Sequence, residues 1–221
     1  MDELKIFDTQ DRDKLSISKK LGSRYTNQLI KPENNLAFKA LKLIKATYNI
    51  KKIVKIVINK QIPPSSGLGG ASSDAAAVLK GLNELWKIKL SQKQLMKLAE
   101  KLGKDVPFFI IGGTALGTHF GEKIKPLKPI KSVKFKILPT EKWPKLPEKI
   151  DPKNKTEKMY GLLDLSNCGQ NQKKTKTLLQ AVRTQNKSGI INNIHNDFET
   201  LISAPDNAHL SGSGPAVFTA Y

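Results

Sequence analysis

Acidic side chains are scarce in this sequence. Its 19 Asp and Glu stand against 38 Lys and Arg, which leaves the 221-residue chain with a formal charge of +19. Such an excess invites a nucleic-acid reading. Aromatic residues are also few, at 6%, so the stacking platforms that single strands need are thin. The basic residues are spread along the chain, not gathered into one arm. We therefore expect no nucleic-acid partner; the charge suits a small polyanion such as a nucleotide. Cysteine is nearly absent: Cys168 alone can form no internal disulfide, and no activating base stands beside it, so it reads as inert. His119, His195 and His209 lack metal-ligand spacing and a cysteine partner, and no metal-binding residues are assigned. No apolar run approaches the roughly 20 residues of a membrane helix. Met1-Asp2-Glu3-Leu4-Lys5 has neither the basic start nor the apolar stretch of a secretory signal. A globular cytoplasmic chain without a membrane partner is expected.

Hydrophobic residues, at 38%, suffice for one large domain or two small ones. Leu36, Ala40, Leu43, Ile44 and Tyr48 form one stripe, which predicts a helix over 35–48 with Asn34 as candidate N-cap. Residues 52–59 alternate as a strand. A helix is expected from about Ser73 to Trp86, and another between the capping-box pair Ser91 and Gln94 and the stop at Gly103. Residues 114–120 and 132–138 read as strands, and 139–158, rich in Pro, Lys and Glu, as a linker between halves. Helices are expected over 174–185 and 188–203, the second burying Ile191, Ile194, Phe198 and Leu201. The chain closes with a glycine turn, Ser211-Gly212-Ser213-Gly214, before a strand over 217–221. Helices and strands without strict βαβ alternation indicate α+β.

The strongest motif is Pro63-Pro64-Ser65-Ser66-Gly67-Leu68-Gly69-Gly70-Ala71-Ser72-Ser73, set between a strand and a helix. Glycines let backbone approach a phosphate closely. The following helix aims its free N–H groups and dipole at the same point. Ser72 and Ser73 could donate to phosphate oxygens or meet a Mg²⁺ ion. The pattern is neither a Walker A loop nor the dinucleotide GxGxxG. An ordinary Gly/Ser turn with a serine cap is the plainer alternative.

This loop resembles the central ATP loop of the galactokinase–homoserine kinase–mevalonate kinase (GHMP kinase) superfamily. Ser73-Asp74-Ala75-Ala76-Ala77, Leu82-Asn83-Glu84-Leu85-Trp86, Gly103-Lys104-Asp105-Val106-Pro107-Phe108-Phe109 and Gly112-Gly113-Thr114-Ala115 are similar to one of its families, the diphosphocytidyl-methylerythritol kinases. Glu33-Asn34-Asn35-Leu36-Ala37 upstream and Asn196-Asp197-Phe198-Glu199 downstream fit as well. The match is dense from about Asn34 to Leu127 and patchy afterwards. The resemblance implies a two-lobed α+β fold: an ATP-binding lobe over 1–130 like ribosomal protein S5 domain 2, and a ferredoxin-like substrate lobe over 131–221. It also implies ATP with Mg²⁺, a small cytidine-diphosphate acceptor phosphorylated on its 2-hydroxyl for isoprenoid precursors, and a monomer or homodimer. Other kinases of the superfamily, or a kinase-like nucleotide-binding protein without turnover, are the alternatives.

By that resemblance Asp105 is the catalytic base. From the residues alone it could instead cap the short helix at Pro107. Asn35 and Lys60 correspond to nucleotide contacts; a helix cap and a solvated strand end are their alternatives. Ser211, Gly212, Ser213 and Gly214 are expected near the substrate diphosphate, where turn amides serve an anion; a tight turn before an edge strand is the other reading. The sequence also departs from the family. No opening Lys-Ile-Asn-Leu strand with its catalytic lysine and no Asp-Gly-Tyr-His segment for the cytosine occur among the 221 residues. Lys104 stands where a small residue is usual, and the closing helix and strand are not reached. Weak ATP binding and poor transfer are therefore expected of an incomplete family member.

Overall fold

In the computed structural model, residues 1–19, 32–147, 150, 154–164, 166 and 168–221 are described. They divide into two compact units, one of residues 1–64 and 69–126, the other of residues 65–68 and 127–221.

The first unit is built on a three-stranded sheet of order β1-β3-β2, from β1 (Glu3–Asp8), β2 (Lys14–Lys19) and β3 (Val54–Lys60). β1 runs antiparallel to β3, with Ile6 opposite Ile56; β2 runs parallel to it, with Leu15 opposite Ile56. Period-2 alternation sends Val54, Ile56 and Ile58 to one face, where all three are fully buried. Against them pack α1 (Leu36–Tyr48) and α2 (Gly70–Leu85) through Ala37, Ala40, Leu41, Ile44, Ala75, Val78, Leu79 and Leu82. Each buried Ile or Leu contributes about 1.5–3 kcal/mol. The alanines let the two helices approach closely.

α1 starts one residue later than the stripe suggests, because Asn35, not Asn34, is the N-cap; its Oδ1 accepts from Ala37 N at 2.9 Å. α2 starts at Gly70, ahead of the expected Ser73, since Gly69 takes the left-handed cap position at φ 68°. α3 (Gln92–Leu102) has both arms of the Ser91–Gln94 capping box. α4 (Val106–Ile111) follows directly and leads to a hairpin of β4 (Ala115–Thr118) and β5 (Lys123–Pro126).

The second unit has an antiparallel sheet of order β6-β8-β7, from β6 (Phe135–Ile137), β7 (His209–Leu210) and β8 (Val217–Ala220). Its helices are α5 (Lys155–Leu162), α6 (Gln172–Thr184) and α7 (Lys187–Ile191). Two small cores serve it, one around Met159, Phe198, Ile202, Leu210 and Val217, the other around Val133, Ala181, Val182 and Ile190.

Two expectations are corrected here. The stretch 139–158 is not simply a linker. Trp143, Leu146 and Ile150 pack on the Met159 cluster, and Trp143 Nε1 donates to Leu138 O at 2.7 Å. Nor is 188–203 one helix. α7 ends at Ile191, and a 3-10 turn occupies Asp197–Thr200. Asn193 Nδ2 takes up the Gly189 carbonyl at 2.8 Å, and Asn196 starts a separate turn as its N-cap, Oδ1 accepting from Phe198 N at 3.0 Å. Phe198 is buried as expected, but Ile190 and Ile202 are the buried isoleucines, while Ile191 and Leu201 are half-buried.

Candidate phosphate-binding and catalytic site

The glycine loop spans both units in sequence. Pro63 and Pro64 belong to the first, Ser65–Leu68 to the second, and Gly69 onward to the first again.

In the first unit the loop's exit opens α2. Ser73 N donates to Gly69 O at 2.9 Å, which closes the first turn of the helix. The amides of Gly70, Ala71 and Ser72 have no partner among the described residues and stand at the positive end of a 16-residue helix. Ser73 does not offer its hydroxyl outward, because Oγ donates to Gly70 O at 2.8 Å. Gly69 lies against α4: a Cβ there would stand 2.6 Å from Phe109 Cζ, and its φ is left-handed. One turn before Phe109, Asp105 is the N-cap residue of α4, yet its side chain makes no capping hydrogen bond. The carboxylate is exposed and has no partner among the described residues. Of the two readings of Asp105, side-chain capping is thus not what the structure has. Lys104 is a surface residue; its Nζ is 3.8 Å from Glu122 Oε2 and 5.3 Å from the Phe120 ring centre.

Asn35 and Lys60 are both engaged within this unit. The Asn35 side chain caps α1. Lys60 Nζ is bound by two carboxylates, Asp74 Oδ2 at 2.9 Å and Asp2 Oδ2. Asp2 Oδ1 in turn accepts from the Gln61 and Ile62 amides at 2.6 and 2.7 Å. The cluster ties the end of β3 to α2, the two structures that flank the loop. Burial pushes Asp74 up, against the pull of Lys60 and with added repulsion from Asp2, to a pKa of about 6. For Asp2 burial is also the largest influence, but Lys60 and the two amides outweigh it and hold the carboxyl below its usual range. The two carboxylates share one lysine and shift in opposite directions: burial and the neighbouring Asp2 raise Asp74, whereas Asp2 has two backbone donors beside Lys60.

In the second unit the loop's tip is locked to the closing glycine turn. Ala216 N donates to Ser66 O at 2.9 Å, and Ser211 Oγ to Gly67 O at 3.1 Å. A Cβ on Gly67 would stand 2.1 Å from Ser211 O, and its φ of 86° is left-handed, so only glycine fits. The turn rests on Asn196, whose Nδ2 reaches Gly212 O at 2.7 Å, and on Lys155 beneath Ser213 and Gly214. Lys155 is 2% exposed, and burial lowers its pKa to about 8. A lysine in a Lys- and Pro-rich stretch carries no local sign of burial, so no sequence pattern marks Lys155. Asp2 and Asp74 were missed as partners of Lys60 because they are 58 and 14 residues from it.

Among the described residues no group of three His, Cys, Asp or Glu could hold a metal ion, and no helix is long and apolar enough to cross a membrane.

The loop and the α+β units are those of a GHMP kinase: residues 35–113 match the GHMP kinases N terminal domain. Curated relatives narrow the class. The chain is 41% identical over 202 residues to 4-diphosphocytidyl-2-C-methyl-D-erythritol kinase of Clostridium botulinum (strain Alaska E43 / Type E3), covering 84% of this chain and 68% of that protein. It is 37% identical to the enzyme of the same name from Exiguobacterium sibiricum, covering 84% of this chain and 66% of that protein. A crystal structure of 4-(cytidine 5'-diphospho)-2C-methyl-D-erythritol kinase superposes with a TM-score of 0.66 at 26% identity, over 98% of this chain and 75% of that one. The chain belongs to the 4-diphosphocytidyl-2-C-methyl-D-erythritol kinase family and spans about two thirds of the length of these curated relatives.

Proposed function

We propose that the chain transfers the γ-phosphoryl group of ATP to the 2-hydroxyl of 4-diphosphocytidyl-2-C-methyl-D-erythritol, a step toward isoprenoid precursors. In this reading the residues from Pro63 to Ser73 hold the nucleotide phosphates. The unpartnered amides of Gly70, Ala71 and Ser72 are the groups best suited to them. Magnesium would accompany ATP on its phosphates and neutralise charge there. Asp105 accepts the hydroxyl proton as the new O–P bond forms, while the bond from the γ-phosphorus to its bridging oxygen breaks and ADP leaves. Ser211–Gly214 takes the acceptor's diphosphate. The charge of +19 favours capture of two such polyanions. Asn35 and Lys60 serve the nucleotide side indirectly, the first by setting the start of α1 and the second by bracing the loop's flanks.

The observation that carries this reading is the Asp105 carboxylate, exposed and unbonded one helical turn before the ring that underlies Gly69. Asp105→Asn should keep nucleotide affinity and thermal stability and lose about 10²–10⁴-fold in turnover. The measurement is transfer of labelled phosphate from ATP to the cytidyl-methylerythritol acceptor. Equal turnover in the variant would remove Asp105 from the chemistry.

A further inference from the structure

All four carbonyls of the Ser211–Gly214 turn are satisfied from within the second unit. Ser211 O accepts from the Gly214 amide at 2.9 Å, and Gly212 O from Asn196 Nδ2 at 2.7 Å. Ser213 O accepts from Lys155 Nζ at 3.3 Å, and Gly214 O also accepts from that ammonium. The third Nζ proton goes to Ser213 Oγ at 2.9 Å. An ammonium has three donors, so Lys155 is spent on this one turn. Among the described residues none of its partners is a carboxylate. Lys60, by contrast, is neutralised by two.

What remains on the turn is its donors. The amides of Gly212 and Ser213 have no partner among the described residues. The Ser213 hydroxyl accepts from Lys155 and so keeps its own proton to give. Gly212 and Gly214 are left-handed, at φ 52° and 65°. Successive amides in such a turn form a concavity that favours anions. A buried ammonium ringed by neutral oxygens is costly, and a bound anion nearby would offset that cost.

We propose that Lys155 is a positioning residue that makes this turn a diphosphate cradle: its ammonium draws the Ser213 and Gly214 oxygens inward, leaves the Gly212 and Ser213 donors for the ligand, and supplies a positive charge that no carboxylate among the described residues cancels. At 2% exposure Lys155 does not touch the ligand; it acts through Ser213 and Gly214. The proposal deepens the kinase reading and rests on it for the ligand class. The acceptor's diphosphate and the phosphates of ATP present the same chemistry to the turn.

The probe is inorganic pyrophosphate, titrated calorimetrically into the whole chain. Lys155→Met keeps the stem and removes the charge; it should weaken pyrophosphate binding about tenfold. Should that variant fail to fold, the wild type decides. With ¹³Cε-labelled lysine, one resonance should titrate near pH 8. Saturating pyrophosphate should raise that midpoint by about one pH unit, since a tenfold coupling is reciprocal. A merely structural lysine would show no such linkage. Displacement of pyrophosphate by CDP marks the acceptor as the natural source, and displacement by a non-hydrolysable ATP analogue marks the nucleotide; either supports the proposal. It is overturned if pyrophosphate does not bind the wild type, leaves the lysine titration unmoved, or binds Lys155→Met as tightly. A chain that binds pyrophosphate through Lys155 yet transfers no phosphate would leave the proposal standing and sink the kinase reading.

Discussion

Each unit holds a lysine against its half of the glycine-loop machinery, half-buried Lys60 in the first and buried Lys155 in the second, and the two are stabilised in opposite ways. Lys60 is locked between Asp2 and Asp74. Among the described residues Lys155 meets only the carbonyl and hydroxyl oxygens of Ser213 and Gly214. A cation neutralised by carboxylates braces structure and has little charge to lend. A cation held by neutral dipoles keeps its field, and its surroundings become a place where an anion is favoured. The cores differ in the same sense. The first unit has one continuous cluster around Ile56 and Leu79, the second two small ones. The first can carry a buried ion-pair cluster on a solid base, whereas the second uses its lysine to shape a turn.

The sharpest way to break this comparison is to remove both charges. Lys60→Met leaves two buried carboxylates without their cation and should cost about 3–5 kcal/mol. Lys155→Met leaves only neutral acceptors and should cost about 1–3 kcal/mol. Urea unfolding of the two variants measures the gap; equal losses would mean that the two lysines are stabilised alike.

Acidity probes the first cluster by itself. Because the folded pKa of Asp74 is raised to about 6, its protonated form favours the folded state. That contribution is fully present below the unfolded value of 3.8 and is lost as pH rises through about 6. Asp2 works the other way, its contribution being lost as pH falls below 3.8. Between pH 4 and 6, then, the wild type should lose stability relative to Asp74→Asn as pH rises. Unfolding midpoints of the pair across that range provide the check; parallel curves would show that Asp74 titrates normally.

The smallest effect is expected at Asn196, which holds the turn at Gly212 O rather than at Ser213 and Gly214. Asn196→Ala removes the bonds to Leu210 O and Gly212 O and the acceptor for Phe198 N. A loss of about 0.5–2 kcal/mol is expected, as for a helix cap. Pyrophosphate affinity should fall less than in Lys155→Met, because no charge is removed. A larger fall would transfer the positioning role from Lys155 to Asn196.

The amino-acid sequence by itself determined what depends on near neighbours. The alternation of Val54, Ile56 and Ile58, the Ser91–Gln94 capping box and the glycine pattern from Gly67 to Gly70 are each set within a few residues, and each is realised in the structure. The family motifs around Ser73 and Asp105 were legible for the same reason, being dense and contiguous. Only the tertiary structure decided which charges meet. Asp2 reaches Lys60 across 58 residues, Lys155 reaches Ser213 across the same separation, and Ser211 reaches Gly67 across 144. Local composition even argued against burial of Lys155, since lysine among lysines and prolines reads as solvated. Periodicity and capping are short-range properties of the chain. The partner of a buried ion is fixed by packing, which brings together residues that no local pattern connects.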